Sequence, residues 1–377
     1  MIGSYKMSII GSSHLKKENG VCQDSSDVKT LENGWVVAVI ADGLGSAKKS
    51  EVGSSLATKT IIDFVSQYIP NQWDNDSLQA LLKVAYHTAL KAIQQVAKEE
   101  GFPLYDYDTT LTTAIYNGND VVYAHVGDGG IITITPYGDI KLLTEVQKGE
   151  ACNETYPLRS GPDKWILGHS KEQICAFTMM TDGIFDIACP WLLATKDQRI
   201  YINYVRPFLD RNVLPVNTDE DFFNAEVEIR AFFEGKQSVG ITDDKTIVGV
   251  INTEVLPEEK EASYYEEPDW ENLSAEKSKQ LRSHVITNSS AAVESKNGIS
   301  EDDNAEGTSD FSNIISEDKK ADAEDTIDKQ AIFPDFYKCP VKKSKRIHGQ
   351  SNAFTDVKEV IDLIEDELKK FFKIDKK

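Results

Sequence analysis

The chain has 377 residues, 40% apolar and 27% charged, which is enough for one large hydrophobic core with an appended segment or for two domains. Its formal net charge of -21 is repelled by nucleic-acid phosphates and anionic lipid, and so disfavours both as partners. The five cysteines are scattered and contain no Cys-x-x-Cys pair, which argues against a disulfide framework or a structural zinc site and fits a reducing compartment.

Met1 to Lys6 carries no apolar leader, and the longest apolar run, Trp35 to Ala41, is far too short to cross a bilayer. The expectation is a soluble, cytoplasmic protein. Trp35 to Ala41 reads as a buried strand that ends in a glycine-rich turn. Glu51 to Tyr68 and Ser77 to Glu100 carry apolar residues at helical spacing. Strands follow at Leu111–Tyr116, Val121–Val126, Ile131–Thr135 and Ile140–Thr144, paired in sequence as two hairpins by the turns at Gly118-Asn119 and Pro136–Asp139. Ile174–Thr181 and Thr246–Ile251 are two more. Hairpins with segregated helices predict an α+β sandwich rather than a parallel βαβ fold.

Beyond Asn252 the composition shifts. Glu254 to Gln330 holds 21 acidic and 8 basic residues and few aliphatics after Leu281, too little apolar surface to offset chain entropy. Three units are expected: a globular domain over 1–253, an acidic and mostly disordered linker over 254–331, and a terminal segment over 332–377. That last segment has a basic run (Lys342, Lys343, Lys345, Arg346) and then Val357, Val360, Ile361, Ile364, Leu368 and Phe371 at helical spacing, predicting an amphipathic helix from about Thr355 to Lys373. Such a helix can pack on its own domain or dock on a partner.

The chemistry is carried by aspartates that follow apolar strands. Val37 to Ala41 runs into Asp42-Gly43-Leu44-Gly45, Val121 to Val126 into Gly127-Asp128, and Phe177 to Thr181 into Asp182-Gly183. Asp243-Asp244 precedes the strand at Thr246, and Cys22-Gln23-Asp24 adds one carboxylate early in the chain. A single Asp-Gly is most simply a turn. Five carboxylates beside buried strands are costly unless they are paired or share cations, and their hard oxygens suit Mg²⁺ or Mn²⁺.

Taken in order, Gln23-Asp24, Asp42-Gly43-x-Gly45, Thr109-Thr110-Leu111, Gly127-Asp128, Thr181-Asp182-Gly183 and Asp243-Asp244-x-Thr246 resemble the metal-dependent serine/threonine protein phosphatases of type 2C, over roughly Met7 to Asn252. Ser13-His14 followed by Cys22-Gln23-Asp24 resembles a prokaryotic subgroup of that class. The resemblance implies a four-layer α-β-β-α sandwich of two antiparallel sheets flanked by helices. It implies two Mn²⁺ or Mg²⁺ ions, and a third that binds more weakly. Asp42 would bridge the pair, the carbonyl of Gly43 would reach one ion, and Asp182 and Asp243 would complete the other. Asp128 with Asp182 would hold the third ion, and Asp24 would orient waters on the metals. The implied reaction is hydrolysis of phosphoserine or phosphothreonine in a protein substrate by a metal-bound hydroxide, opposing a serine/threonine kinase. A catalytically inactive relative that binds phosphoproteins or a kinase is the alternative.

The sequence departs from the family in places. No arginine stands shortly before the first aspartate, and His14 is the candidate for receiving the substrate phosphate; otherwise it hydrogen-bonds a strand end. Leu44 occupies the place where several animal relatives have a histidine as candidate general acid. Gly129-Gly130 replaces a family Ser-Arg.

Overall fold

A computed structural model describes residues 1–15, 20–147, 155–194, 199–235, 238 and 240–279. Among these residues ten strands form two antiparallel sheets. One has the order β1(Ile2–Ile9), β10(Lys245–Asn252), β9(Ala176–Met180), β6(Gly130–Ile134), β7(Ile140–Leu142). The other runs β2(Ser25–Thr30), β3(Val36–Ala41), β4(Leu111–Tyr116), β5(Val121–Val126), β8(Ile166–His169). Helices α2(Ser50–Tyr68) and α3(Asn75–Glu100) cover the second sheet. The first sheet is covered by α4(Asp182–Ala188), α5(Ile202–Leu209) and α6(Asp219–Glu234). This is the expected α-β-β-α sandwich, and the two expected hairpins are β4–β5 and β6–β7.

Strand alternation explains why the central strands read as unbroken apolar runs. Val36, Ala38 and Ile40 of β3 face the other sheet, where they meet Phe177, Met179, Val248 and Val250. Val37, Val39 and Ala41 point the other way, into α2 and α3. Both faces of β3 are therefore buried, and no polar alternation survives. In β1 only Tyr5, Met7 and Ile9 are buried, at every second position. Tyr5 lies opposite Gly249 of β10, and its ring occupies the space a side chain there would need. The strand alternates weakly among small and polar residues, and the sequence did not announce it. Nor did it announce β2 (Ser25–Thr30), whose residues are only partly buried or exposed.

Helix ends follow local chemistry. Asp74 caps α3 by accepting the Ser77 N–H at 2.9 Å, and Gly101 closes it in the left-handed region. Thr218 and Asp221 form a reciprocal capping box on α6.

The described chain stays on the domain beyond residue 253, where the globular domain is expected to end. Tyr264 and Tyr265 pack against the core, Arg206 stacks over the Tyr265 ring at 3.8 Å, and a helix over 270–279 buries Trp270 and Leu273. Trp270 meets Tyr201 edge to face, with ring centroids 5.2 Å apart. A few aromatic anchors are enough to hold a stretch whose average composition is acidic and polar. The rest of the acidic linker, the basic run and the terminal amphipathic helix lie outside the described residues. Trp270→Ala is expected to lower unfolding stability by about 3 kcal/mol in urea titration of the full chain. An unchanged midpoint would mean that this segment does not brace the domain. No helix among the described residues is long and apolar enough to cross a membrane.

Candidate metal centre

The two sheets deliver their acidic residues to one end of the sandwich. β3 ends at Ala41, β5 at Val126 and β9 at Met180, while β2 starts at Ser25 and β10 at Lys245. Antiparallel register aligns these ends, with Ser25 opposite Ala41, Leu111 opposite Val126, Gly130 opposite Met180, and Ile9 opposite Lys245. Asp24, Asp42, Asp128 and Asp243 therefore sit in four loops of one rim, and Asp182 joins them at the first turn of α4.

Within that rim the carboxylate oxygens of Asp42, Asp128 and Asp182 lie within 4.8 Å of one another, all half-buried. Burial pushes the pKa of Asp42 and of Asp182 well above the ordinary carboxylate range. Neighbouring charges push the same way: Asp24, Asp128 and Asp243 act on Asp42, while Asp42, Asp128 and Asp243 act on Asp182. Asp24 is raised as well, by burial first and then by the charges of Asp244 and Asp182, against hydrogen bonds from Thr246 and Thr181. A carboxylate set this crowded is unfavourable when fully ionised without a counter-charge. Its all-oxygen donors fit a hard divalent cation.

The backbone around the cluster is tied tightly. The Asp42 N–H donates to Thr110 Oγ1 at 2.9 Å, and the Asp42 carbonyl accepts from Thr110 N–H at 2.8 Å and from the Thr109 hydroxyl at 2.9 Å. The Thr181 hydroxyl donates to Asp24 Oδ2 at 2.8 Å, joining the loop before β2 to the start of α4. The glycines beside the aspartates allow loop to approach loop. A Cβ on Gly43 would lie 2.6 Å from the Gln23 carbonyl oxygen, one on Gly129 2.4 Å from that of Met180, and one on Gly183 2.1 Å from that of Asp244. Gly127 also adopts φ +131, a region that L side chains rarely enter.

Asp243 is exposed and close enough to raise Asp42 and Asp182, but it groups most tightly with His14 and Asp244. Asp244 is buried. Its Oδ1 accepts the Gly11 N–H and its Oδ2 the Gln23 N–H, both at 2.6 Å. A carboxylate serves two backbone donors where an asparagine would offer one oxygen and set its own N–H₂ against the second donor. His14 is buried in α1(Ser12–Leu15), with Nδ1 2.9 Å from Asp244 Oδ1 and Nε2 4.0 Å from Asp243 Oδ1. A substrate phosphate arriving at His14 would meet a carboxylate near each ring nitrogen. A phosphate received at His14, as the sequence suggests, would need that negative charge offset, which cations held beside Asp243 would do.

Two features escaped the sequence. Asp108, just ahead of the Thr109-Thr110 clamp, holds Arg159 in a two-pronged ion pair at 2.7 and 2.6 Å, while the Leu158 N–H donates to the Thr109 carbonyl at 2.7 Å. Its partners are 51 residues apart, and no local pattern links them. Thr181 was visible only as part of a motif, and its hydroxyl role needed the fold. His125 is buried in β5 with Nδ1 2.9 Å from the Thr112 hydroxyl, and its pKa is lowered to about 4 by burial, as suits a structural residue.

The profile of the family described as Protein phosphatase 2C matches residues 10–220, more than half of the chain. The chain belongs to the protein phosphatase 2C family. The match covers Asp24, Asp42, Asp128 and Asp182 and stops short of Asp243, which the fold brings to the same rim. Several solved structures are similar to this protein phosphatase 2C chain. A bacterial serine phosphatase is 15% identical, over 69% of this chain and 100% of its own, with a TM-score of 0.48. The catalytic domain of the serine/threonine protein phosphatase PstP, in complex with two manganese ions, is 17% identical over 66% and 97%, with a TM-score of 0.46. The phosphatase Stp1 from Staphylococcus aureus is 15% identical over 67% and 95%, also at 0.46. No curated protein sequence matches the chain significantly.

Proposed function

We propose that this protein phosphatase 2C chain hydrolyses phosphoserine and phosphothreonine in protein substrates with Mn²⁺ or Mg²⁺, in opposition to a serine/threonine kinase. The observation that carries this reading is the cluster of Asp42, Asp128 and Asp182, with oxygens within 4.8 Å, at strand ends in the family's order. A relative reduced to binding would be expected to lack one of these carboxylates, and all are present.

Asp42, Gly43, Asp128, Asp182 and Asp243 would hold the cations. When bound, a divalent pair lowers the pKa of a coordinated water towards neutrality and offsets charge on the phosphoryl oxygens. The chain's own task is positioning. Thr109 and Thr110 fix the backbone of Asp42, Thr181 holds Asp24 where it would orient water on the cations, and the Asp108–Arg159 pair fastens the segment around Leu158 and Arg159 to the Thr109-Thr110 clamp. The three-part organisation, a catalytic domain followed by an acidic linker and a terminal helical segment, belongs to the same proposal, with the chain to residue 279 counted with the domain.

The test is hydrolysis of p-nitrophenyl phosphate and of a phosphothreonine peptide by the full chain, with Mn²⁺ and with EDTA. Turnover that appears with Mn²⁺ and vanishes with EDTA is the expected result. Folded protein that binds Mn²⁺ yet turns over neither substrate would overturn it.

A further inference from the structure

Beyond the carboxylate cluster, the rim carries a second grouping with a nitrogen donor. One ring nitrogen of His14 and a carboxylate oxygen from each of Asp243 and Asp244 are brought together by α1 and by the loop that leads into β10, within 4.8 Å of one another. Asp244 has both oxygens engaged by backbone N–H groups and is fixed in place. The His14 side chain is nine-tenths buried, and its Nδ1 has no partner in hydrogen-bond geometry although it lies 2.9 Å from Asp244 Oδ1. A small turn of the ring converts that approach into an Nδ1–H donation. Nε2, the other ring nitrogen, lies 4.0 Å from Asp243 Oδ1, on a side chain exposed to solvent.

A carboxylate that accepts from one imidazole nitrogen while the other nitrogen binds a cation is the usual setting of a metal-ligating histidine, because the carboxylate fixes the tautomer and makes the free nitrogen more basic. An ion at roughly 2.0–2.2 Å from each donor would draw the exposed Asp243 carboxylate closer to Nε2 than the present 4.0 Å, a movement a solvent-exposed side chain can make. We propose that His14 and Asp243 form a mixed nitrogen–oxygen site for a divalent transition-metal ion, with Asp244 as the residue that orients the imidazole. The site rests on the reading of Asp243 as a cation ligand and adds to it a donor that the carboxylate set lacks. Imidazole suits Fe²⁺, Ni²⁺, Cu²⁺ and Zn²⁺, whereas carboxylate and water suit Mg²⁺ and Mn²⁺, so a nitrogen donor here favours the transition metals later in the series over Mg²⁺.

The test is pulsed electron paramagnetic resonance of the full chain loaded with Mn²⁺, reading the coupling of the ion to ¹⁴N. The wild type is expected to show that coupling at saturating Mn²⁺ and to lose it in His14→Gln, with the weakest class of Mn²⁺ sites at least about tenfold weaker by calorimetry. Asp243→Asn changes an exposed side chain and is the second variant, expected to lose the coupling in the same way. Coupling that survives in His14→Gln overturns the proposal, because the nitrogen then comes from elsewhere. Mn²⁺ binding and hydrolysis without any ¹⁴N coupling overturns it while leaving the proposed phosphatase centre standing. Absence of Mn²⁺ binding overturns both.

Discussion

Asp182→Asn is expected to abolish Mn²⁺-dependent hydrolysis, by about 10³-fold or more, and at the same time to raise the melting temperature of the protein in EDTA. The two effects share one cause. Asp182 is pressed against Asp42 and Asp128 in a half-buried rim, and burial together with those charges disfavours its ionised form. Without a cation that crowding works against the fold, and a neutral amide of the same shape relieves it. With a cation bound as proposed, the same charge would hold the ion, and loss of such an electrostatic anchor typically costs at least two or three orders of magnitude in rate. The gain in EDTA should be about 2 °C or more at pH 8.

The sign can be followed in pH. Asp24, Asp42 and Asp182 have raised folded-state pKa values, so the metal-free fold holds protons that the unfolded chain has released above about pH 4. Their contribution is fully present below that pH and is lost as pH rises through the folded values. His125 acts in the opposite direction. Its pKa of about 4 means that stability is lost as pH falls from about 6.5 towards 4. Because His125 is common to both proteins, the difference in melting temperature between Asp182→Asn and wild type isolates the carboxylates, and it should widen from pH 5 to pH 8. A variant no more stable than wild type in EDTA throughout that range would show that the rim carboxylates do not repel one another as described.

Gly183→Ala is the second large effect. Inside a helix this change would ordinarily stabilise by up to about 1 kcal/mol, since alanine is the better helix former. Here the added Cβ would lie 2.1 Å from the carbonyl oxygen of Asp244, a backbone atom that cannot swing aside as a side chain can. The helix start that carries Asp182 and the loop that carries Asp243 must then separate. A net loss of about 1–3 kcal/mol is expected, together with Mn²⁺ binding at least about tenfold weaker. Gly45→Ala is the matched control. Only the tip of the Gln23 side chain comes within 4.0 Å of its Cβ, so it should behave like wild type in stability. Equal behaviour of the two variants would sink the close-approach argument.

What the sequence disclosed depended on the range over which each signal acts. The buried strands β3, β5 and β9 and the long helices α2 and α3 were legible, because periodicity and composition operate over neighbouring residues. Val36 to Ala41 followed by Asp42-Gly43 carries both its burial and its chemistry in one stretch. β1 was not legible. Only Tyr5, Met7 and Ile9 signal its inward face, and its pairing with β10 depends on residues some 240 positions away. The site was legible as an ordered set of aspartates, but not as a geometry. Nothing in Asp243-Asp244 says that the first is exposed and the second is a buried brace between Gly11 and Gln23. His14 suggested an anion site by its place in the chain, and only the fold supplies the carboxylates that face it. The packed segment around Trp270 was hidden because average composition dilutes a few aromatic anchors.

The pairing of β1 with β10 also constrains how the molecule is made. Ile9 meets Lys245 and Ile2 meets Asn252, so among the described residues β1 has no neighbour in its sheet until β10 exists. A ribosome adding roughly 5–20 residues per second leaves that edge waiting for about 10–50 seconds. The rim assembles on the same schedule, since Gly11 and Gln23 dock on a carboxylate that is among the last of the domain to be translated. A nascent chain halted before residue 243 would carry Asp24, Asp42, Asp128 and Asp182 but lack the brace that fixes their loops. The proposed cation site would thereby be completed only once the chain through β10 has been made, when both ends of the domain can close together.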